Sequence, residues 1–282
     1  MISIMVNTYN RSKVLTETLM SLRPFWKKAE IVVVDDFSSD GTESAVKDFV
    51  SKNNIGLKYV RNPRNLGYPR SLNVGIENCS NDFVFILNDD NAILDTMDFT
   101  EAIESYGKRR CIIATRVVSE VKRPLFKRMT GFAYRVPAET FAGEIYNYTG
   151  SRRRTVKYCN NAFGFNKNIG IRFDEKSYIR NAYRIESDFQ KRARKKGIKI
   201  FYFPGIRVID KWVNYGGVRE NSVNLLLYCI YNHITFLRKN FRVSKYYKIP
   251  CYFLLKAATH PYLSVAIIKT FNKSFKHPIY QE

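Results

Sequence analysis

The chain has 282 residues, 45% hydrophobic and 15% aromatic, enough to bury a full core, and no low-complexity tract points to disorder. Its five cysteines, at 79, 111, 159, 229 and 251, include no CxxC pair, which argues against a disulfide framework or a cysteine zinc site and for a reducing compartment. The formal net charge of +22 fits a polyanionic partner (nucleic acid, anionic lipid headgroups or diphosphate ligands) without choosing among them.

The opening run Met-Ile-Ser-Ile-Met-Val turns polar at Asn7, too early for a signal-peptide core. Ile2 to Val6 reads as a strand, and Leu15, Leu19 and Leu22 then repeat at helical spacing over Ser12 to Leu22. Glu30 to Asp35 is apolar through its middle, as expected of a parallel strand covered on both faces. Asp40-Gly41-Thr42 opens a second helix, Leu57 to Val60 is a third strand, Ser71 to Glu77 lies in a third helix, and Phe83 to Leu87 is a fourth strand. This alternation predicts an α/β fold with a mostly parallel sheet and helices on both faces, in which ligands bind beyond the carboxyl ends of the strands. Residues 119–158 lack clear periodicity and hold Arg152-Arg153-Arg154; loops this long are usually functional or mobile. A helix is expected from Ile185 to Lys196, strands at Lys199 to Phe203 and Arg207 to Ile209, and helices beyond Glu220 as far as about Lys276. Within the last stretch, Ile249 to Ile268 is broken by Lys256, His260 and Pro261, whereas a membrane span needs about 20 unbroken apolar residues.

Three polar clusters follow strands and so converge on one sheet edge: Asn7-Thr8-Tyr9-Asn10-Arg11, Asp35-Asp36 and Asn88-Asp89-Asp90. A carboxylate at Asp35 or Asp36 can accept hydrogen bonds from a base or ribose, and the helix start after it favours anions. Simple N-capping is the plainer role for Ser39 or Asp40. Asp89 and Asp90 suit Mn2+ or Mg2+, which take one or two protein carboxylates and leave other positions to water and phosphate. The competing reading is a solvated acidic turn. Arg70 has the guanidinium fork that phosphate oxygens accept, although a plain surface arginine is the commoner case. Glu186 and Asp188 begin a helix, where a carboxylate is either a dipole partner or a general base; spacing leaves both open.

The strings IMVNTYNR, IVVVDDFSSDGT, NLGYPRSLNVGI and ILNDDNAIL, in that order, resemble the family 2 glycosyltransferases of the GT-A fold. FDEKSYIRNAYRIESDFQKRARKKGIKIFYFPGIRVID is similar to that family's catalytic-helix region, and YNHITFLRKNF to a following helix in many polysaccharide-making members, so the likeness covers about residues 1–241. The resemblance implies an inverting, metal-dependent transferase of the EC 2.4 class. It implies that Thr8, Tyr9, Arg11, Asp35 or Asp36, Arg70 and Asp89 hold the nucleotide-sugar, that Asp90 ends the D-x-D metal motif, and that Glu186, or Asp188 after it, is the base. The motif's first position is Asn88, and Asp210 stands where relatives often carry a histidine; its carboxylate oxygen still suits a hard cation.

A sugar-phosphate nucleotidyltransferase would need a Gly-rich loop after the first strand, and Asn7 to Arg11 holds no glycine. A non-catalytic basic binder of membrane or nucleic acid accounts for the charge but leaves the three strand ends unexplained, and no nucleic-acid motif is present, so no nucleic-acid partner is expected. The expected organisation is a GT-A, Rossmann-like catalytic domain over residues 1–220, with a nucleotide half at 1–118 and an acceptor half at 119–220. A basic, aromatic helical annex follows at 221–282. The expected partners are a UDP- or dTDP-sugar and a glycan or lipid-linked acceptor, with cytoplasmic, peripheral placement at the inner face of an anionic membrane.

Overall fold

The structure, a computed structural model, describes residues 1–119, 139–145, 147–211, 217 and 222–276. In chain order its elements are β1 (Ile2–Thr8), α1 (Ser12–Ser21), β2 (Ala29–Asp35), α2 (Thr42–Asn53), β3 (Lys58–Arg61), α3 (Tyr68–Asn78) and β4 (Phe83–Asn88). Then follow β5 (Asn91–Thr96), α4 (Phe99–Tyr106), β6 (Cys111–Ser119), β7 (Arg154–Val156), β8 (Phe163–Asn166), α5 (Ile185–Lys195) and β9 (Lys199–Asp210). Three helices close the described chain: α6 (Ser222–Asn240), α7 (Lys245–Thr259) and α8 (Ser264–Lys276).

The strands form one sheet in the order β3-β2-β1-β4-β8-β6-β9-β5, with β7 against β9. Pairing is parallel from β3 to β4 and between β6 and β9. β8 runs antiparallel between β4 and β6, and β5 and β7 run antiparallel to β9. Alternate side chains of one strand enter opposite cores, as a period of two requires. Met5, Val32, Val34, Val84 and Ile86 pack with Leu72 of α3, Phe189 of α5 and the C-terminal helices. Ile4, Val6, Ile31, Val33 and Phe85 pack with α1, α2 and α4. Helices on both faces follow, as the apolar runs predict. The C-terminal annex shares the first of these cores through Ile234, Leu237, Tyr252 and Ile267.

The sequence reading leaves β5, β6, β7, β8 and α4 unassigned, and it divides β9 in two. In the structure β9 is a single strand with an irregularity: Phe203 pairs with Thr115 but Arg207 with Arg116. Pro204 and Gly205 fall in that gap, where a proline without an N–H is tolerated. The Gly205 N–H donates to Asp98 Oδ2 at 2.8 Å, and a Cβ there would lie 2.5 Å from the Asp98 carboxyl carbon. The bend lets the end of β9 pair with β5, which sets Asp210 opposite Asn91, beside the Asp89-Asp90 turn. Part of the aperiodic stretch, residues 120–138, lies outside the described residues, whereas Arg153 is fixed by Asp98 and Glu101.

Candidate active site

β1, β2 and β4 are neighbouring parallel strands, so their carboxyl ends face one edge. Asn7 is opposite Asn88 in the register of β1 and β4, and Thr8 is opposite Asp35 in that of β1 and β2. The three polar clusters therefore share one cleft.

Arg11 is its electrostatic centre. Its Nη1 donates to Asp89 Oδ1 at 2.8 Å and to Asp90 Oδ2 at 2.9 Å. Thr8 Oγ1 donates to Asp89 Oδ2 at 2.8 Å, and Thr18 Oγ1 donates to the Asp89 carbonyl at 2.6 Å. Both oxygens of Asp89 are thus used inside the protein. Burial, helped by the Asp90 charge, pushes its carboxyl up to about 6 against the pull of Arg11 and Thr8. Asp90 differs: Oδ1 is buried and accepts no hydrogen bond, while Oδ2 is held by Arg11. An oxygen without a donor, two residues from a strand end, is suited to a hard cation. Asp210 joins this corner through the strand register, and the Lys211 N–H donates to the Asp90 carbonyl at 2.9 Å. Among the described residues no group of three His, Cys, Asp or Glu side chains forms a ready-made metal cage. Mn2+ or Mg2+ does not need one, since phosphate and water complete their shells.

Asp35 and Asp36 are fully and nearly fully buried, and both fix loops. Asp35 Oδ1 accepts from the Ser38 N–H at 2.9 Å, and Oδ2 accepts from Tyr59 Oη at 2.6 Å. Asp36 accepts from the Leu66 and Gly67 N–H groups at 2.8 and 2.9 Å and from Asn62 Nδ2 at 2.9 Å. This carboxylate shapes the turn into α3, where Gly67 has φ +84°, a backbone conformation that glycine adopts freely. Tyr9 stands in the same corner, its carbonyl accepting from the Gly217 N–H at 2.8 Å. Arg70 is half-exposed on α3, with Nε 3.6 Å from Glu175 Oε2.

On the other side of the cleft, Glu186 is partly buried in the first turn of α5. Its Oε1 lies 3.0 Å from Tyr68 Oη, which lies 2.8 Å from Asn88 Oδ1. Burial raises the Glu186 carboxyl above the ordinary range, against the pull of its own backbone N–H, Tyr68 and Arg184. Asp188 is two residues on, about 200° around a helix with 3.6 residues per turn. It is fully buried and accepts from Arg192 Nε at 2.7 Å and Asn240 Nδ2 at 2.6 Å. The structure therefore brings Glu186 to the cleft and Asp188 into an ion network with α6. Tyr68 and the buried Arg184 are the participants that the sequence reading missed. Tyr68 sits within the motif NLGYPRS, but its partner Glu186 is 118 residues away in sequence.

The sequence profile described as "Glycosyl transferase family 2" matches residues 3–177. The chain belongs to glycosyltransferase family 2. It is similar to the poly-beta-1,6-N-acetyl-D-glucosamine synthase of Staphylococcus epidermidis, at 34% identity over 38% of this chain and 26% of that one. It is also similar to the GalNAc(5)-diNAcBac-PP-undecaprenol beta-1,3-glucosyltransferase of Campylobacter jejuni, at 28% identity over 67% of this chain and 65% of that one. The matches thus span about a quarter and just under two thirds of those relatives' lengths. In fold it resembles GalNAc-T7 solved with UDP, GalNAc and Mn2+, with a TM-score of 0.67 at 13% identity over 98% of this chain and 54% of that one. The fold is that of the GT-A glycosyltransferases.

Proposed function

We propose that this chain transfers a sugar from a nucleoside-diphosphate sugar to an acceptor hydroxyl, with inversion, using Glu186 as general base and a divalent metal at Asp90. The observation that carries the reading is the pairing across one cleft of a buried, undonated Asp90 oxygen with a glutamate of raised proton affinity. Asp90, with Asp210 beside it, would hold Mn2+ or Mg2+, and the cation would supply positive charge toward a departing diphosphate. Arg11 carries a fixed positive charge against the same carboxylates and keeps them compact before ligand arrives. Thr8 and Tyr9 stand at the wall for base and ribose, Asp35 and Asp36 fix the loops behind it, and Arg70 lies at the rim. Glu186 takes the proton of the acceptor hydroxyl as that oxygen bonds to the anomeric carbon. The bond from this carbon to the diphosphate oxygen breaks on the opposite face, and the diphosphate leaves with the electron pair.

The donor is read as a UDP- or dTDP-sugar and the acceptor as a growing or lipid-linked glycan. The GT-A neighbour with UDP and Mn2+, and the Campylobacter relative with an undecaprenol-linked substrate in its name, support this choice. Placement at the inner face of a membrane is supported by residues 222–276, which hold nine Lys or Arg and no Asp or Glu.

A thermal-shift screen against nucleoside diphosphates and their sugars, with and without Mn2+, tests the reading. A ligand that binds only the native state stabilises it by about 2.7 kcal/mol at a hundredfold excess over Kd. A shift with one nucleotide that needs Mn2+, and that loses its metal dependence in Asp90→Asn, is the expected result. No shift with any nucleotide removes the donor site, and an unchanged Mn2+ response in Asp90→Asn removes Asp90 from the metal.

A further inference from the structure

Tyr68 is the first residue of α3, and the turn before it is rigid. Asp36 accepts both N–H groups of Leu66 and Gly67, Gly67 takes φ +84°, and Pro69 limits the backbone on the other side. The ring packs against the core beneath α3. What this construction aims is a single hydroxyl, 3.0 Å from Glu186 Oε1 and 2.8 Å from Asn88 Oδ1. A phenol has one proton and here faces two acceptors. A carboxylate outcompetes a neutral amide oxygen for it, because a hydrogen bond to an ionised acceptor is about twice as strong.

We propose that Tyr68 is a positioning residue for the general base: its hydroxyl donates to the Glu186 carboxylate and holds it in one orientation, at the nucleotide edge beside Asn88. The inference rests on the reading of Glu186 as base, and it gives Asn88 a physical reason. An aspartate at 88 would compete with Glu186 as an equal for the only proton available, whereas asparagine leaves it to the base.

Among the described residues, four charged or titratable groups bear on Glu186 directly or through Tyr68. Tyr68 faces it from α3, Arg184 from the turn before α5, and Cys159 from the segment between β7 and β8, while Asp90 acts on Tyr68. Of these, Tyr68 and Arg184 favour the ionised glutamate. Losing the Tyr68 hydrogen bond therefore makes Glu186 harder to ionise, and the acid limb of the rate profile moves to higher pH.

The test is a double-mutant cycle of Tyr68→Phe and Glu186→Gln, with kcat, donor KM and the pH dependence of kcat measured for each protein. Phenylalanine keeps the ring's packing, and the thermal shift with donor nucleotide checks that the cleft is intact. Tyr68→Phe is expected to lower kcat by about 10²-fold, the scale of a misplaced catalytic group, with donor KM little changed. Its acid limb should lie at higher pH, and in the Glu186→Gln background it should cost little further. Wild-type kcat and an unmoved limb in Tyr68→Phe, beside a disabled Glu186→Gln, would overturn this proposal alone. So would an equal cost of Tyr68→Phe in both backgrounds. Near-normal turnover of Glu186→Gln would remove the base itself, and the proposal with it.

Discussion

At position 90 the two oxygens of one carboxylate have different fates. Oδ2 is tied to Arg11 at 2.9 Å, and Oδ1 is buried without a donor. Orphaned acceptors are expensive in a folded protein, costing about 1–3 kcal/mol each, so their retention needs a reason. Next to it Asp89 has the same composition and the opposite situation, with Thr8 and Arg11 occupying both its oxygens. Two adjacent aspartates thus divide into one that holds the cleft together and one that keeps an undonated oxygen. Neighbours 78 to 81 residues away made that division, so spacing alone could not. The same holds for Glu186, where burial and the Tyr68 hydroxyl act on a carboxylate that in sequence looks like any helix-start acid. Glu186→Gln is expected to leave donor binding intact and lower turnover by about 10²–10⁴-fold, the usual share of general-base catalysis. Near-wild-type turnover with intact donor binding would place the base elsewhere.

At the scale of elements, α5 presents the proposed base on one side and an anchor on the other. Glu186 faces the cleft, whereas Asp188 meets Arg192, Asn240 and, at 3.8 Å, Lys239. Lys239 also pairs with the buried Asp174 in the segment before α5. The turn into α5 holds three non-glycine residues at positive φ, Arg180, Ala182 and Arg184, a strained run that surrounding contacts must support. Arg184 is held by Glu144 at 2.5 Å and donates to His233 Nδ1 at 3.1 Å, so the imidazole carries its proton on Nε2, toward the Ala142 carbonyl. Burial and the Arg184 charge hold His233 well below the usual histidine range, and it stays neutral.

Asp174 gives this clamp a pH signature. Burial alone would raise its carboxyl, but Lys239, Ser177 and the Lys176 N–H more than offset this and lower it. A carboxyl depressed in the native state contributes stability above its unfolded value of 3.8, and that stability is lost as pH falls through the native value. Asp174→Asn should cost about 3 kcal/mol at pH 7, the low end for breaking a buried pair because Asp188 still faces Lys239. In urea unfolding, the gap from wild type should narrow as pH falls below the ordinary aspartate range. A cost that is small at pH 7, or constant with pH, would show that the ion pair does not staple the segment before α5 to α6.

At the scale of the molecule, the surface is unevenly finished. Sixteen large hydrophobic side chains are exposed among the described residues, and nine of them fall between Val243 and Phe275. They include Tyr246, Leu254, Tyr262 and Val265, on a stretch that also carries five lysines and no acidic residue. No single described helix is long and apolar enough to cross a membrane, and α7 and the helical stretch from Pro261 to Lys276 meet at a bend of 111°. Apolar side chains among cations suit the interface of an anionic bilayer. The expected outcome is co-sedimentation with phosphatidylglycerol vesicles at low salt that fades as salt screens the charge, and that is weakened by Leu254→Glu with Val265→Glu. Failure to sediment at low salt would leave the annex with a packing role only.

The order of elements and the three polar strand ends were legible because both are local. Hydrophobic period and turn chemistry are written in neighbouring residues, and a parallel αβ alternation admits few topologies. β5, β8 and the bend of β9 at Pro204-Gly205 were not legible. Their stability comes from partners distant in sequence, such as Asp98 for Gly205 and Asp210 for Asn91. The sequence by itself determined the fold class, the family and which acids stand at strand ends, because these follow from short-range pattern and motif order. Only the tertiary structure decided which aspartate keeps an undonated oxygen, which face of α5 meets the cleft, and that Tyr68 reaches Glu186. Those properties depend on distance and burial between segments that the chain itself leaves far apart.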